Sequence, residues 1–341
     1  MKAAVYHGPG DIRIESVTDP NDPRGDEVII EVTRGAICGT DSSEWAHGPL
    51  LARPPVVLGH EFVGRVVAVG VGADGFSIGD RVVSGAGISC GVCEWCRVGR
   101  TNLCAEYRTL GLHVDGGLAE YVRSPGFVCR RVPEQVSDDA AALAQPLAVA
   151  LHAVRRSGLE PGQACAVIGV GGIGAFIVAA AIARGASPLI ALDVDDTRLE
   201  TARRLGASVS VNVRERSLSE AILEHTEGAG AHVVIEASGA PGSPGAALAA
   251  ARRGGRVLIV GLQSEPREID LFSFTVREVD LVTTLAHVCD VDLPDALTLL
   301  ASTDLADAVI DRVISLADLV DEGIRPLAEG TARGKIVVAP R

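Results

Sequence analysis

The sequence predicts an α/β protein of two domains, a small, mostly β domain followed by a doubly wound parallel sheet. Three observations predict it. The first 148 residues hold short, Val- and Gly-rich strand-like pieces; from Gln163 onward apolar runs alternate with helical periods; and a glycine-rich turn, "VIGVGGIG", stands where the first apolar run meets the first helix.

In the first part, "EVIIEVTRGAI", "EFVGRVVAVG" and "GDRVVSG" read as strands separated by glycine turns, with few long helical periods. The pattern changes after "AQPLAVALHAVRRSG". Strands "ACAVIG", "PLIALD", "VSVNV", "AHVVIEAS" and "GRVLIVG" then alternate with helices "GIGAFIVAAAIARG", "DTRLETARRLG", "SLSEAILEHTEG" and "SPGAALAAARRG". Strands with no solvent face, spaced by helices, predict a parallel sheet covered on both sides. We place this domain at 149–288, with "DLVTTLAH" (280–287) as its last strand, and expect 289–341 to return to the first domain (1–148) through "GKIVVAP".

A chain that is 47% hydrophobic and only 3% aromatic, with 39 glycines, packs on Val, Ala, Leu and Ile. Its net charge of -13, with no basic block, argues against a nucleic-acid partner. No polybasic membrane patch stands out, the N-terminus reads as strand and turn rather than a signal peptide, and "AFIVAAAIARGA" is too short to span a bilayer. A cytoplasmic protein is expected. In that compartment closely spaced cysteines favour metal over disulfides.

Gly169, Gly171 and Gly174 fit G-x-G-x-x-G, with Gly172 and Ile173 between them. This spacing gives a tight turn, close backbone approach to a pyrophosphate and close packing of helix on strand, with the helix dipole toward the phosphates. Asp193 closes the second strand 24 residues after Gly169, placed to accept from adenosine ribose hydroxyls. Its charge, with Asp195 and Asp196 nearby, favours NAD over NADP; Arg198 tempers that preference.

Cys90, Cys93, Cys96 and Cys104, in "SCGVCEWCRVGRTNLC", offer C-x2-C-x2-C-x7-C spacing. Four thiolates fill a tetrahedral zinc and leave no open position, so this site would hold a loop rather than do chemistry; an iron-sulfur cluster is the competing reading. An open metal needs other ligands. Cys38 in "CGTDSSEW" and His60 with Glu61 in "GHEFVG" would suit zinc with a fourth position for water or an alcohol. Spacing alone also allows a buried free cysteine, a core histidine and a surface glutamate.

Together with "GDRV", "GGLAEYV", "QPLAVALHAV", "VIEASG" and "GKIVV", these motifs resemble the zinc-dependent medium-chain dehydrogenase/reductase (alcohol dehydrogenase) family, nearest its sorbitol, butanediol and threonine dehydrogenase branches. The resemblance runs from near the start of the chain to near its end. It implies a GroES-like catalytic domain, a Rossmann NAD-binding domain and an active site in the cleft between them. It further implies two zinc ions per subunit, one catalytic and one structural, and a homotetramer or homodimer.

The same resemblance makes Cys38 and His60 catalytic zinc ligands and Glu61 the glutamate that enters or leaves the metal shell. Gln145 stands where the family usually has a second glutamate, as a neutral possible ligand. Thr40 matches the hydroxyl that bonds the substrate oxygen, but Ser43 replaces the relay histidine; His47 is a candidate substitute, and Asp41 is a loop-organising carboxylate. The implied reaction passes a hydride between a secondary alcohol, vicinal diol or polyol and NAD, giving the ketone. An NADH-dependent ketone reductase is the alternative, and a zinc-free reductase or a non-catalytic NAD-binding protein are the minor ones. Ser42, Ser43, Trp45, Thr283, Thr284 and His287 are candidate pocket residues, with Arg277 and Arg333 as possible anion contacts.

Overall fold

The computed structural model describes residues 1–214, 216–263 and 265–341. It divides into two compact units: Met1–Ala148 with His287–Arg341, and Val149–Ala286.

The first unit is built on a seven-stranded sheet. Its central strand, Glu27–Ala36, pairs antiparallel with Glu61–Val69 on one side and Lys335–Ala339 on the other. The register sets Ala36 opposite both Glu61 and Val337, so the end of one strand and the starts of two others lie side by side. Alternation explains the sheet, because Val28, Ile30 and Val32 share one buried face with Phe62, Val66 and Val82. A second cluster under Tyr6, Ile37, Leu58 and Leu118 takes in Ile324, Ile336 and Val338, binding the C-terminal segment to the N-terminal one.

The second unit is a six-stranded parallel sheet. Cys165–Ile168 lies inside it, flanked by Leu189–Asp193 and then Val209–Asn212 on one side, and by Ala231–Glu236, Ala251–Ile259 and Asp280–Thr283 on the other. The order reverses at the first strand, which puts the ligand crevice of a doubly wound sheet at the carboxyl ends beside it. Cys165–Ile168 and Leu189–Asp193 are buried throughout, as strands covered on both faces must be. The helix Gly172–Ala183 covers the sheet with a run of eight buried residues, Gly174 to Ala181.

One strand differs from the sequence reading. The last runs only Asp280–Thr283, not to 287. Beyond it Ala286 takes a positive φ of 47°, and His287 belongs to the other unit, where its Nε2 bonds the Gly85 carbonyl at 2.8 Å. An apolar period continues in the sequence while the backbone turns away from the ladder.

Candidate active site

The adjacent strand ends gather the first site. Cys38 follows the central strand and caps the helix Gly39–His47, while His60 and Glu61 enter the neighbouring strand. One donor atom each from Cys38, His60 and Glu61 lies within 4.8 Å of the others, and His60 and Glu61 are buried. Asp41, fully buried, accepts the Cys38 N–H through Oδ2 at 2.9 Å and turns Oδ1 to His60 Nδ1 at 3.8 Å. It organises both ligand-bearing segments, the loop role expected of it. Lys335, at the start of the third strand, donates to the Ile37 carbonyl at 2.8 Å and ion-pairs with Glu61.

These groups fit a metal cation. Among the described residues Asp41 Oδ1 and His60 Nδ1 are buried without a hydrogen-bond partner, while Glu61 Oε2 meets only the Lys335 ammonium. Burial disfavours a charged imidazole, yet the Cys38 sulfur and the Asp41 carboxylate outweigh it and raise His60 to about 10. A buried set so short of positive charge, made of sulfur, imidazole and carboxylate donors, is the chemistry of a zinc site.

Around it, Thr40 is half-buried with its Oγ1 at 3.6 Å from Cys38 Sγ. Ser43 and His47 follow at three and seven residues, which places all three on one side of the helix, with His47 exposed at its last turn. Ser42 is turned back onto the Gly39 carbonyl at 2.9 Å. Gln145 sits half-buried in the first turn of the helix Ala144–Ser157. Trp45, which the sequence allows as either a pocket wall or core packing, packs against the cluster of Tyr6, Ile37 and Ile324 with the Arg325 guanidinium 5.7 Å from its ring. Arg277 is not a free anion contact either, because it donates to the carbonyls of Leu248, Ala249, Ala251 and Ser273. Arg333 is exposed, Thr283 ends the edge strand, and Thr284 is half-buried with its hydroxyl unbonded among the described residues.

Glu44 carries no signal in the sequence. It is fully buried in the same helix, and its carboxylate accepts the N–H groups of Leu50, Leu51 and Ala52 at 2.6–3.1 Å, pinning the loop that leads to His60. Glu44→Ala strands those donors, and we expect it to cost about 2 kcal/mol in urea unfolding.

The second cysteine set is separate from the first. Cys90, Cys93, Cys96 and Cys104 also bring their sulfurs within 4.8 Å of one another, with no disulfide among them. Backbone N–H groups of Cys90 and Glu106 point at Cys104 Sγ, and that of Cys93 at Cys90 Sγ. The amides of Cys96 and Ala105 bring Cys93 down to about 6. Thiolates held by amides in a closed tetrad fit zinc with no position to spare.

In the other unit the glycine turn is sterically obligatory. Gly169 has a φ of 84°, and a Cβ there would stand 2.7 Å from Ser238; one at Gly174 would stand 1.9 Å from the Gly169 carbonyl oxygen. Gly171 caps the helix that begins with Gly172, Ile173 and Gly174, leaving amides for phosphate. Asp193 is 5% exposed: Oδ1 accepts from Val194 and Asp195 N–H, and Oδ2 from Val170 N–H at 2.8 Å. Counting two acceptor positions per oxygen leaves about one, on Oδ2, for a ribose hydroxyl. The Arg198 guanidinium lies 3.9 Å from Asp193 Oδ1 and about as close to where a Gly171 side chain would be.

Residues 24–134 match the alcohol dehydrogenase GroES-like domain and residues 172–302 the zinc-binding dehydrogenase domain. Over 269 residues, 78% of this chain and 76% of the relative, the sequence is 40% identical to a sorbitol dehydrogenase of Bacillus subtilis. The chain belongs to the zinc-dependent medium-chain dehydrogenase/reductase family. Within that family it is also 38% identical over 251 residues to an L-threonine 3-dehydrogenase of Pectobacterium carotovorum, covering 72% of each chain. A solved 2R,3R-butanediol dehydrogenase from Bacillus subtilis superimposes with a TM-score of 0.92 at 32% identity, covering 100% of this chain and 99% of that one. As a member of this family the protein is an NAD-linked, zinc-dependent oxidoreductase of alcohols and polyols with the GroES-like and Rossmann pair of domains.

Proposed function

We propose that Cys38, His60 and Glu61 hold the catalytic zinc and the four-cysteine lobe a structural one, and that the enzyme oxidises a secondary alcohol, vicinal diol or polyol to the ketone with NAD. The observation that carries this reading is the contrast between the clusters. Among the described residues one set closes with four cysteines, whereas the other offers three His, Cys or acidic donors beside a buried, unpaired imidazole nitrogen. Bound there, zinc supplies Lewis acidity toward an alcohol hydroxyl, and NAD supplies the hydride acceptor.

The protein's own groups orient and move the proton. Thr40, next to Cys38, takes the hydroxyl proton into a hydrogen bond. Ser43 and His47 continue the same helix side to solvent and support an outward path without the usual relay histidine. Asp41 and Lys335 fix the ligand segments, and Gln145 is a neutral reserve ligand. For the cofactor, Asp193 supports NAD, and Arg198 over the glycine turn tempers that preference. Asp193→Ser is expected to raise the KM for NAD about tenfold, a loss of roughly 1.4 kcal/mol, and to admit NADP; an unchanged cofactor preference overturns the ribose role.

The edge strand Asp280–Thr283, with one side unpaired among the described residues, and the exposed Leu271 and Phe272 before it support one twofold interface and so a homodimer; the homotetramer we propose needs a second interface, and light scattering distinguishes the two. No helix among the described residues is long and apolar enough to cross a membrane; the cytoplasmic location we propose rests on the closely spaced cysteines, which form no disulfide. The testing experiment measures NAD and NADP reduction by zinc-loaded enzyme on secondary alcohols, vicinal diols, sugar alcohols and L-threonine, and NADH oxidation on the matching ketones. Turnover confined to ketone reduction favours the biosynthetic direction. Absence of both, with zinc and NADH bound, overturns these substrate classes and makes Gln145 and Ser43 the first residues to question.

A further inference from the structure

We propose that the alcohol this enzyme takes carries an anionic group, a carboxylate or a phosphate ester, held by Arg53, Arg108 and His113. The inference rests on the reading of Cys38, His60 and Glu61 as the reaction centre.

The backbone brings Arg53 beside the turn that carries Arg108 and His113. Arg108 and Thr109 form a short strand against Gly87–Ile88. The chain then folds back, with His113 N–H bonding the Thr109 carbonyl at 2.9 Å and Thr109 N–H bonding His113 Nδ1 at 3.0 Å. With Nδ1 accepting, the neutral ring carries its proton on Nε2 and presents a donor there. Arg53 is laid beside the same turn by its N–H, which bonds the Leu112 carbonyl at 2.8 Å. The grouping is also felt electrostatically, since His113 is held below its ordinary value first by burial and then by the charges of Arg53 and Arg108.

The two arginines of this group have no ion-pair partner among the described residues, although acidic side chains outnumber basic ones 44 to 31 in the sequence. The buried Glu44 is the carboxylate that acts on His113, and it is committed to three backbone amides. Asp115, farther along the loop, accepts the Val57 N–H at 3.0 Å. A net-negative protein repels anions over most of its surface, so such a cationic turn focuses them locally. Guanidinium groups match carboxylate and phosphate oxygens in geometry as well as charge.

The turn is attached to the reaction centre. Gly111, between Arg108 and His113, lies so close to Gly59 that a Cβ on it would stand 2.6 Å from that residue's backbone N, C and O. Gly59 immediately precedes His60. Arg53 lies on the segment that Glu44 pins ahead of His60. The anionic end of a substrate would therefore be held by a turn packed directly on the backbone that carries a metal ligand.

The test compares a matched set: sorbitol, gluconate and sorbitol 6-phosphate, titrated calorimetrically into enzyme loaded with zinc and NADH. Binding requires no turnover, so this result is independent of whether the reaction itself has been assigned correctly. We expect at least one of the two acids to bind about tenfold or more tightly than sorbitol, with the preference weakening as salt is raised; which acid wins distinguishes carboxylate from phosphate. Arg108→Gln and Arg53→Gln should each reduce the acid-to-neutral ratio, and in turnover the change should fall on KM rather than kcat. Competitive inhibition of wild-type turnover by inorganic phosphate against the alcohol, and not against NAD, gives the same answer should either variant fail to fold. Equal binding of sorbitol and both acids overturns the clamp and leaves the dehydrogenase reading intact; acid-selective binding without turnover of any alcohol or ketone bears out the clamp and overturns the proposed substrate classes.

Discussion

Replacing His60 with alanine is expected to yield a folded protein that holds one equivalent of zinc per chain where the wild type is expected to hold two, one for each candidate cluster. Alcohol oxidation should fall by about four orders of magnitude, because several kcal/mol of Lewis-acid stabilisation are lost with the metal. The fold survives because His60 is a small part of the sheet edge, and its removal relieves a buried, cation-seeking set rather than breaking a ladder. Metal analysis of the purified variant and a single-turnover assay check both halves. A variant that retains both zinc ions and turns over alcohol at the wild-type rate would show that the open centre lies elsewhere.

The opposite pattern is expected of Cys93→Ser. Serine leaves the lobe with three thiolates and weakens a structural ion whose binding is itself folding energy, about 10 kcal/mol or more in isolated zinc peptides. The segment from Cys90 to Cys104 contains only a four-residue helix and a three-residue 3-10 turn, Glu94–Arg97 and Thr101–Leu103, too little regular structure to stand alone. Most of the variant should aggregate, and the remaining soluble fraction should bind NADH as the wild type does. Soluble yield and NADH fluorescence titration measure this. A well-folded Cys93→Ser protein that had lost only its chemistry would reverse the roles of the two metal sites.

What could be read from the sequence was local chemistry with fixed spacing. The four cysteines fall within fifteen residues, and the glycines of the turn within six, so each arrangement is set by its own stretch of chain. Cys38 and His60 were legible through their motifs, although only the pairing of Ala36 with Glu61 makes them neighbours. Groups whose meaning depends on tertiary placement were not legible. Glu44 looks like an ordinary helical glutamate until its carboxylate is seen on three amides of the following loop. Lys335, part of a recognised motif, gained a role only once its strand lay beside Ile37. Composition allows Trp45 as a wall or as core packing, and only its tertiary placement turns it toward the core. Arg53 and His113 are separated by sixty residues, and only long-range backbone hydrogen bonds such as that from Arg53 N–H to the Leu112 carbonyl bring their segments together. The end of the last parallel strand was misplaced for a related reason: hydropathy continues through residues 284–287, whereas the hydrogen-bonding ladder does not.

The pairing of Glu27–Ala36 with Lys335–Ala339 bears on the order in which the chain acquires its two abilities. The nucleotide unit is a continuous stretch, Val149–Ala286, and can fold as soon as that stretch has been synthesised. The metal-bearing unit is discontinuous, and its central strand waits for a partner that is made only after the whole nucleotide unit. Closing so long a loop is slow, and until it closes the Ile37 carbonyl and the Glu61 carboxylate lack their lysine, and the sheet shows an open apolar edge. A nascent chain is thus competent for dinucleotide before it can keep a complete metal centre. Its most aggregation-prone interval falls between those two events, when early cofactor binding steadies one half of the molecule while the other awaits its closing strand.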